Sequence, residues 1–316
     1  SIKFRRRAFI QRCMYHHDPP RARARKSEKA HRMRAPHVPR DTPRRDATRM
    51  SDARRARTTI DKIDDASFSS EIPSYDALIA THGVGAFFEL ANAPAFRYDD
   101  LRVRQDQSVV DSCGGIVWES AFCLVNYLRA NARFAALMTR EGRAAVELGC
   151  GCALVGLVVA RDHGFERVVV TDQEKVLADV TRANVAMNVE ALEARGASTV
   201  PRAMALDWEK EEELDAVAAA GPFDVVLGTD VLFSVPLVGK LVRCVERLMR
   251  KKKHSVCYVC VQRRSPDAHE EFLRLAKEKF EFFQAEDVSF AEDDACEVFE
   301  LRWRREDLLK RKRDRR

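Results

Sequence analysis

Between residues 144 and 280 the apolar residues switch repeatedly between short continuous runs and helical spacing, and that switching most limits the possible folds. AAVELG (144–149) has the length and content of a buried strand. ALVGLVVARDHG (153–164) follows with helical spacing and a closing glycine suited to a helix C-terminus. RVVVTD (167–172) and EKVLADVTRANVAMN (174–188) repeat the pair. VPRAMALDW (200–208) and FDVVLGTD (223–230) supply two more strands, and VPLVGKLVRCVERLMR (235–250) is an amphipathic helix. SVCYVCVQR (255–263) and DAHEEFLRLAKEKF (267–280) add a further strand and helix. Strands alternating with helices predict an α/β fold with a doubly wound, mostly parallel sheet. FEFFQAEDVSF (280–290) and CEVFELRW (296–303) have no helix between them, so a C-terminal antiparallel hairpin is expected.

Upstream, FRYDDLRVRQDQ (96–107) reads as an edge hairpin and ESAFCLVNYLRANARF (119–134) as an amphipathic helix. Together they predict a small N-terminal hairpin/helix cap over the sheet. Charge divides the chain further. Residues 1–57 hold 19 Lys+Arg against 5 Asp+Glu, and residues 302–316 hold 9 against 3. The stretch 58–301 has 27 basic and 41 acidic residues, so the overall +6 describes none of its parts. The expected organisation is a basic disordered extension at 1–57, a linker and cap start at 58–95, the folded domain at 96–303, and a basic tail at 304–316. The extension lacks the apolar content to offset its ordering entropy. Three readings of it stay open: a spurious or alternative upstream extension, a targeting segment, or a basic arm that contacts nucleic acid or the ribosome without sequence preference.

Nine cysteines without a regular framework suit a reducing compartment. A cytoplasmic location is expected, with an organelle reached through the Arg-rich N-terminus, or the nucleus, as alternatives. Cys257 and Cys260 form a CxxC inside a strand-like run, where residues three apart point to opposite faces. They read as core, and no metal site is expected. No apolar run approaches the roughly 18 residues of a membrane span.

The sequence VELGCGCALVG (146–156) places glycines directly after the first strand, where open α/β sheets bind ligands. Asp172, ending the second strand, falls about 20 residues later, where a carboxylate typically takes a ribose hydroxyl pair. A dinucleotide loop needs a glycine three positions after Gly151, yet Leu154 stands there and the glycine waits until Gly156. Glu147 lies two residues before Gly149, where its charge would repel a pyrophosphate and favour a cationic ligand. An adenosine cofactor with a cation and no phosphate is S-adenosyl-L-methionine.

These residues resemble the seven-strand methyltransferases, and more narrowly the methyltransferase-like 21 type of non-histone protein-lysine methyltransferases. GGIVWESAFCLVNYL (114–128) resembles the family's V-W-[D/E]-x-A stretch, VELGCGCALVG its cofactor loop, and TDQEKVLADVTRANVAMN its second strand and helix. ALDW (205–208) and GTDVLF (228–233) resemble its L-x-W and G-A-D-[IV]-[IL]-[YF]. The similarity covers roughly 95–303. It implies a Rossmann-like seven-stranded sheet with helices on both faces. It also implies cofactor contacts from Trp118, the backbone of Gly149, Cys150 and Gly151, the Asp172 carboxylate, Trp208 and Thr229. Cys152, Glu119, Thr229 and Phe233 depart from the commonest family residues. Family relatives modify chaperones, a hexameric ATPase, calmodulin and elongation factors, which implies a protein substrate of the chaperone, ATPase or translation-factor class. A monomer is expected.

Roughly one lysine amine in two thousand is neutral at pH 7, so lysine methylation needs a site that holds the amine and lets its proton leave. Asp230 ends the fourth strand at the edge that carries the glycine loop, and Phe233 follows three residues on. Asp230 is expected to attract and orient the amine, and Phe233 to wall the channel with a ring face. Competing readings move the methyl group to a protein histidine or N-terminus, a small amine or RNA, or make the domain a catalytically inactive cofactor binder. RNA is disfavoured by the acidic core and by D-V-L-F at 230–233.

Overall fold

The computed structural model describes residues 72–82, 86–108, 113–138, 142–285 and 296–313. The extension expected at 1–57 lies outside the described residues. So do the start of the expected linker, the end of the strand expected at 280–290, and the last residues of the tail.

The strands are β1 (Ala95–Tyr98), β2 (Leu101–Arg104), β3 (Ala144–Leu148), β4 (Arg167–Asp172), β5 (Arg202–Ala205), β6 (Val225–Thr229), β7 (Val256–Gln262), β8 (Phe280–Ala285) and β9 (Cys296–Trp303). β3 to β9 form one sheet in the order β5-β4-β3-β6-β7-β9-β8. The pairs among β5, β4, β3, β6 and β7 are parallel. β9 runs antiparallel to both β7 and β8. This is the expected mostly parallel seven-stranded sheet with its closing hairpin. Strand order reverses at β3, with β4 on one side and β6 on the other, so the ends of β3, β4 and β6 face the usual ligand crevice of such sheets.

The helices are α1 (Tyr75–His82), α2 (Ala86–Asn92), α3 (Glu119–Ala130), α4 (Ala132–Met138) and α5 (Leu154–Asp162). Glu174–Val176, a π turn at Leu177–Thr181, and Arg182–Met187 run on as α6. Then come α7 (Val189–Ala194), α8 (Glu211–Ala220), α9 (Val235–Leu248), α10 (Pro266–Lys279) and α11 (Arg305–Arg313). Helices cover both faces because the strands are apolar on both. Along β3, Ala144, Val146 and Leu148 pack into the core built with α8, α9 and α10, while Ala145 joins the core built with α3, α5 and α6. Cys257 and Cys260 divide between the same two cores, as their spacing on a strand requires. α8 was not anticipated, and α11 forms within the stretch read as a basic tail.

Two expectations upstream need correction. The helix foreseen over 119–134 breaks at Asn131, whose ψ of 106° is extended and whose side-chain oxygen accepts the Phe134 N–H at 2.9 Å to start α4. The β1–β2 hairpin forms its own two-stranded sheet rather than joining an edge of the large one. It docks on the end of α6 through two asparagines four residues apart, Asn184 within the helix and Asn188 just after it. Asn188 accepts from the Arg102 N–H at 2.8 Å and donates to the Arg102 carbonyl at 2.7 Å. Asn184 does the same at Arg104, at 2.8 and 2.9 Å. The amides thereby replace the strand that would otherwise pair with β2. The cap is completed by Tyr75 of α1, stacked on Phe122 of α3 with ring centroids 4.6 Å apart.

Candidate active site

The loop between β3 and α5 turns through left-handed backbone at Gly149 (φ 62°), Gly151 (φ 49°) and Ala153 (φ 62°). Glycine suits the first two because neighbours also press close. A Cβ on Gly151 would lie 2.9 Å from the Gly114 carbonyl oxygen, and one on Gly149 would lie 3.1 Å from Val231 and 3.5 Å from the Trp208 ring. The loop is therefore wedged between the segment that leads into α3 and the segment that follows β6.

Two of its backbone donors are engaged across the strand ends. The Cys150 N–H donates to the Thr171 carbonyl at 2.9 Å, and the Gly151 N–H to Asp172 Oδ2 at 2.8 Å. A phosphate-binding loop aims such groups at its ligand. Here they tie the end of β3 to the end of β4, which fits a ligand without phosphate. Asp172 Oδ1 accepts the Gln173 N–H at 2.8 Å. Each carboxylate oxygen thus takes one backbone bond and keeps a lone pair for a ligand hydroxyl. Burial pushes the Asp172 carboxyl up to about 6, against the pull of its two backbone donors. The Cys150 side chain is buried beside Thr181, so only its backbone borders the loop, and burial pushes its thiol up.

Glu147 requires a correction. Its side chain is 1% exposed and lies beneath α5, where Oε2 accepts the Gly156 N–H at 2.8 Å. Burial pushes it up to about 8, a Gly156 hydrogen bond pulls the other way, and Asp172 adds to the rise. The group is largely neutral at pH 7 and shut off from the crevice, so it does not serve as the anion facing a cationic ligand. Gly156 is explained by the same contact, since a Cβ there would meet Val170 Cγ1 at 2.3 Å and Glu147 Oε2 at 2.8 Å.

Trp208 follows β5 and stands 6.1 Å from Phe233, centroid to centroid, with the rings tilted by 32°. Phe233 is 39% exposed, so the pair forms a wall that opens to solvent. Thr229 ends β6, beside Cys260 of β7. Asp230 comes next with φ of 50°, a left-handed conformation that a non-glycine residue holds only when its surroundings fix it. Its Oδ1 accepts the Gln262 N–H at 2.8 Å, and its Oδ2 accepts from Arg264 at 3.1 and 3.3 Å. The same guanidinium reaches Glu119 Oε2 at 3.3 Å and lies 4.5 Å from the centre of the Trp118 ring. Trp118 stands at the start of α3, with its indole N–H donating to the Cys113 carbonyl at 3.0 Å.

The structure therefore brings Gly149, Gly151, Asp172 and Trp208 together around the loop, and Trp118, Asp230 and Arg264 together beside it. Phe233 borders the first group and follows the second in sequence. Sequence reasoning missed Arg264 and gave Glu119 no role in charge pairing. Their separation of 145 residues leaves no local pattern to find.

A profile of the lysine methyltransferase family matches residues 96–279. The chain belongs to that family. The lysine methyltransferase match contains every candidate residue from Trp118 to Phe233, and Arg264 as well. Protein N-lysine methyltransferase METTL21A of Mus musculus is 29% identical over 154 residues, 49% of this chain and 63% of that protein. Its counterpart in Danio rerio is 29% identical over 172 residues, 54% of this chain and 69% of that protein. Calmodulin-lysine N-methyltransferase of Arabidopsis thaliana is 27% identical over 138 residues, 44% of this chain and 43% of that protein.

Proposed function

We propose that this chain is an S-adenosyl-L-methionine-dependent methyltransferase whose acceptor is a lysine side chain of a non-histone protein. The observation that carries the reading is the pair of carboxylates, Asp230 and Glu119, gathered with the Trp118 ring beside a glycine loop whose Gly151 N–H is turned to Asp172. Asp172 would hold the ribose hydroxyls, the Gly149–Gly151 backbone would let the ligand approach closely, and Trp208 would flank the adenine. The cofactor supplies a methyl group on a positively charged sulfur.

The protein must deliver a neutral amine in line with that methyl group. In the Asp230 cluster two carboxyl groups share one guanidinium, an acidic surrounding that would attract an ammonium group. Once the ammonium has released a proton to solvent at the open side of the wall, Asp230 can accept a hydrogen bond from a remaining N–H and hold the lone pair on its line of attack. Trp208 and Phe233 exclude water from one side. A cytoplasmic protein of the chaperone, ATPase or translation-factor class remains the proposed partner. Support for a reducing compartment comes from the nine cysteines, which follow no regular framework.

The test is incubation with cell lysate and labelled cofactor, followed by separate digestion with protease and with RNase. Label should leave with protease and remain after RNase. In the same assay Asp230→Asn should keep cofactor affinity within a few-fold while turnover falls by about a hundredfold, the scale of a misplaced reacting group. Wild-type turnover in Asp230→Asn would remove the carboxylate from the reaction.

A further inference from the structure

The least expected resident of the site is Arg264. It sits in the short connection between β7 and α10, flanked by exposed Arg263 and by Ser265, while its own side chain is only 12% exposed. The guanidinium is enclosed by three groups from two other places in the fold. Asp230 comes from the end of β6 with its side chain 7% exposed, Glu119 from the first turn of α3 at 3%, and the Trp118 ring covers one face at 4.5 Å. Carboxylates together with an aromatic face make a general receptor for an organic cation. The receptor groups are tied in place by hydrogen bonds of their own: Asp230 accepts the Gln262 N–H at 2.8 Å, and the Trp118 indole donates to the Cys113 carbonyl at 3.0 Å. Its occupant, Arg264, is carried on the connection between β7 and α10.

We propose that Arg264 is a built-in stand-in for the substrate cation, filling the receptor made by Asp230, Glu119 and Trp118 until an incoming lysine ammonium displaces it. This rests on the reading of the site as a lysine acceptor site. The exchange is charge-neutral within the receptor, because one cation leaves as another arrives. It also keeps two buried carboxylates from facing each other uncompensated while no substrate is present, an arrangement that strongly disfavours ionisation. An acceptor has to outcompete a tethered guanidinium, so a bare amine is a weak ligand. A protein that adds contacts around its lysine can supply the difference. Arg264 is thus a specificity-determining residue, selecting a lysine presented on a docked protein over small free amines.

The probe is n-butylammonium, titrated into the full chain with the cofactor's homocysteine product present. Arg264→Gln should bind it at least tenfold more tightly than wild type does, and adding Asp230→Asn to that variant should abolish the gain. Cofactor affinity should stay within twofold throughout. On the lysate substrate, Arg264→Gln should lower KM for the acceptor without a matching fall in kcat. If the guanidinium were a fixed support for Asp230, the variant would gain no affinity for the probe and would lose kcat, which overturns the proposal. Should Arg264→Gln fail to fold, the wild type still decides: saturating n-butylammonium should expose the Arg264 Nε–H to solvent exchange, and continued protection would refute displacement. These titrations need no methylation, so a chain that methylates no protein would defeat the proposed function while leaving the cation receptor separately testable.

Discussion

Replacing Glu147 by glutamine removes one ionisable group from beneath α5 while keeping the side chain's shape and its acceptor for the Gly156 N–H. In the folded protein the carboxyl is pushed up to about 8, against an ordinary value of 4.5 in the unfolded chain. Across the interval between those values the native state keeps a proton that the unfolded state has released. Stability contributed by this group is therefore full below pH 4.5 and lost as the pH rises through 8. By proton linkage the wild type should lose about 3–4 kcal/mol from this source between pH 5 and pH 8. Glu147→Gln should lose none of it. Urea unfolding of both proteins at closely spaced pH values is the measurement, because groups common to the two cancel in the difference. The curves should run close together near pH 5 and separate steadily, with the variant the more stable at pH 8. Parallel curves would show that Glu147 is ionised in the native state at neutral pH, and the account of a neutral, buried carboxyl would fall.

Gly156→Ala should destabilise the fold by about 1–3 kcal/mol, the usual penalty of overpacking, because its Cβ would overlap Val170 and Glu147; thermal melting measures it, and an unchanged melting temperature would contradict the close packing of α5. Asp172→Ala should weaken cofactor binding by about 1.5–3 kcal/mol through lost bonds to a charged acceptor, read by calorimetry. Asn184→Ala should destabilise by about 1–3 kcal/mol through unsatisfied buried groups at Arg104 and Cys152. It should weaken cofactor binding as well, since Cys152 belongs to the glycine loop; a melting change with no change in affinity would separate cap from loop. Phe233→Tyr should keep turnover, whereas Phe233→Ala should lower it through a lost wall and a cation–π contact of about 0.5–2 kcal/mol.

Much of this architecture is legible in the chain because its central strands are apolar on both faces. AAVEL, VVV and VCYVCV can only lie between two layers, and the glycines mark where the chain turns beyond them. Strand parity could also have placed Glu147 correctly. It shares a face with Ala145, and both faces of β3 are covered, so its side chain had to be buried. α8 escaped notice because only Leu214 and Val217 of its ten residues are buried, too few for a clear apolar stripe. The π turn at Leu177–Thr181 leaves no mark in the spacing of apolar residues. Of the site, the residues adjacent to strand ends could be found by position. The Arg264 cluster could not, since its members meet only after β6, β7 and α3 have been assembled.

Asn184 of α6 and Asn188 just beyond it also determine what the cap can meet from outside. An exposed strand edge is a template on which another chain can add a strand. Asn184 and Asn188 occupy the N–H and carbonyl groups of Arg102 and Arg104 along β2, and the Arg97 N–H of β1 donates to the Pro73 carbonyl at 2.9 Å. A helix side chain cannot pass this pairing on, because beyond the amide there is no second backbone to copy. The hairpin is terminated as a template, and a visiting protein that reaches this flank has to be recognised by its side chains.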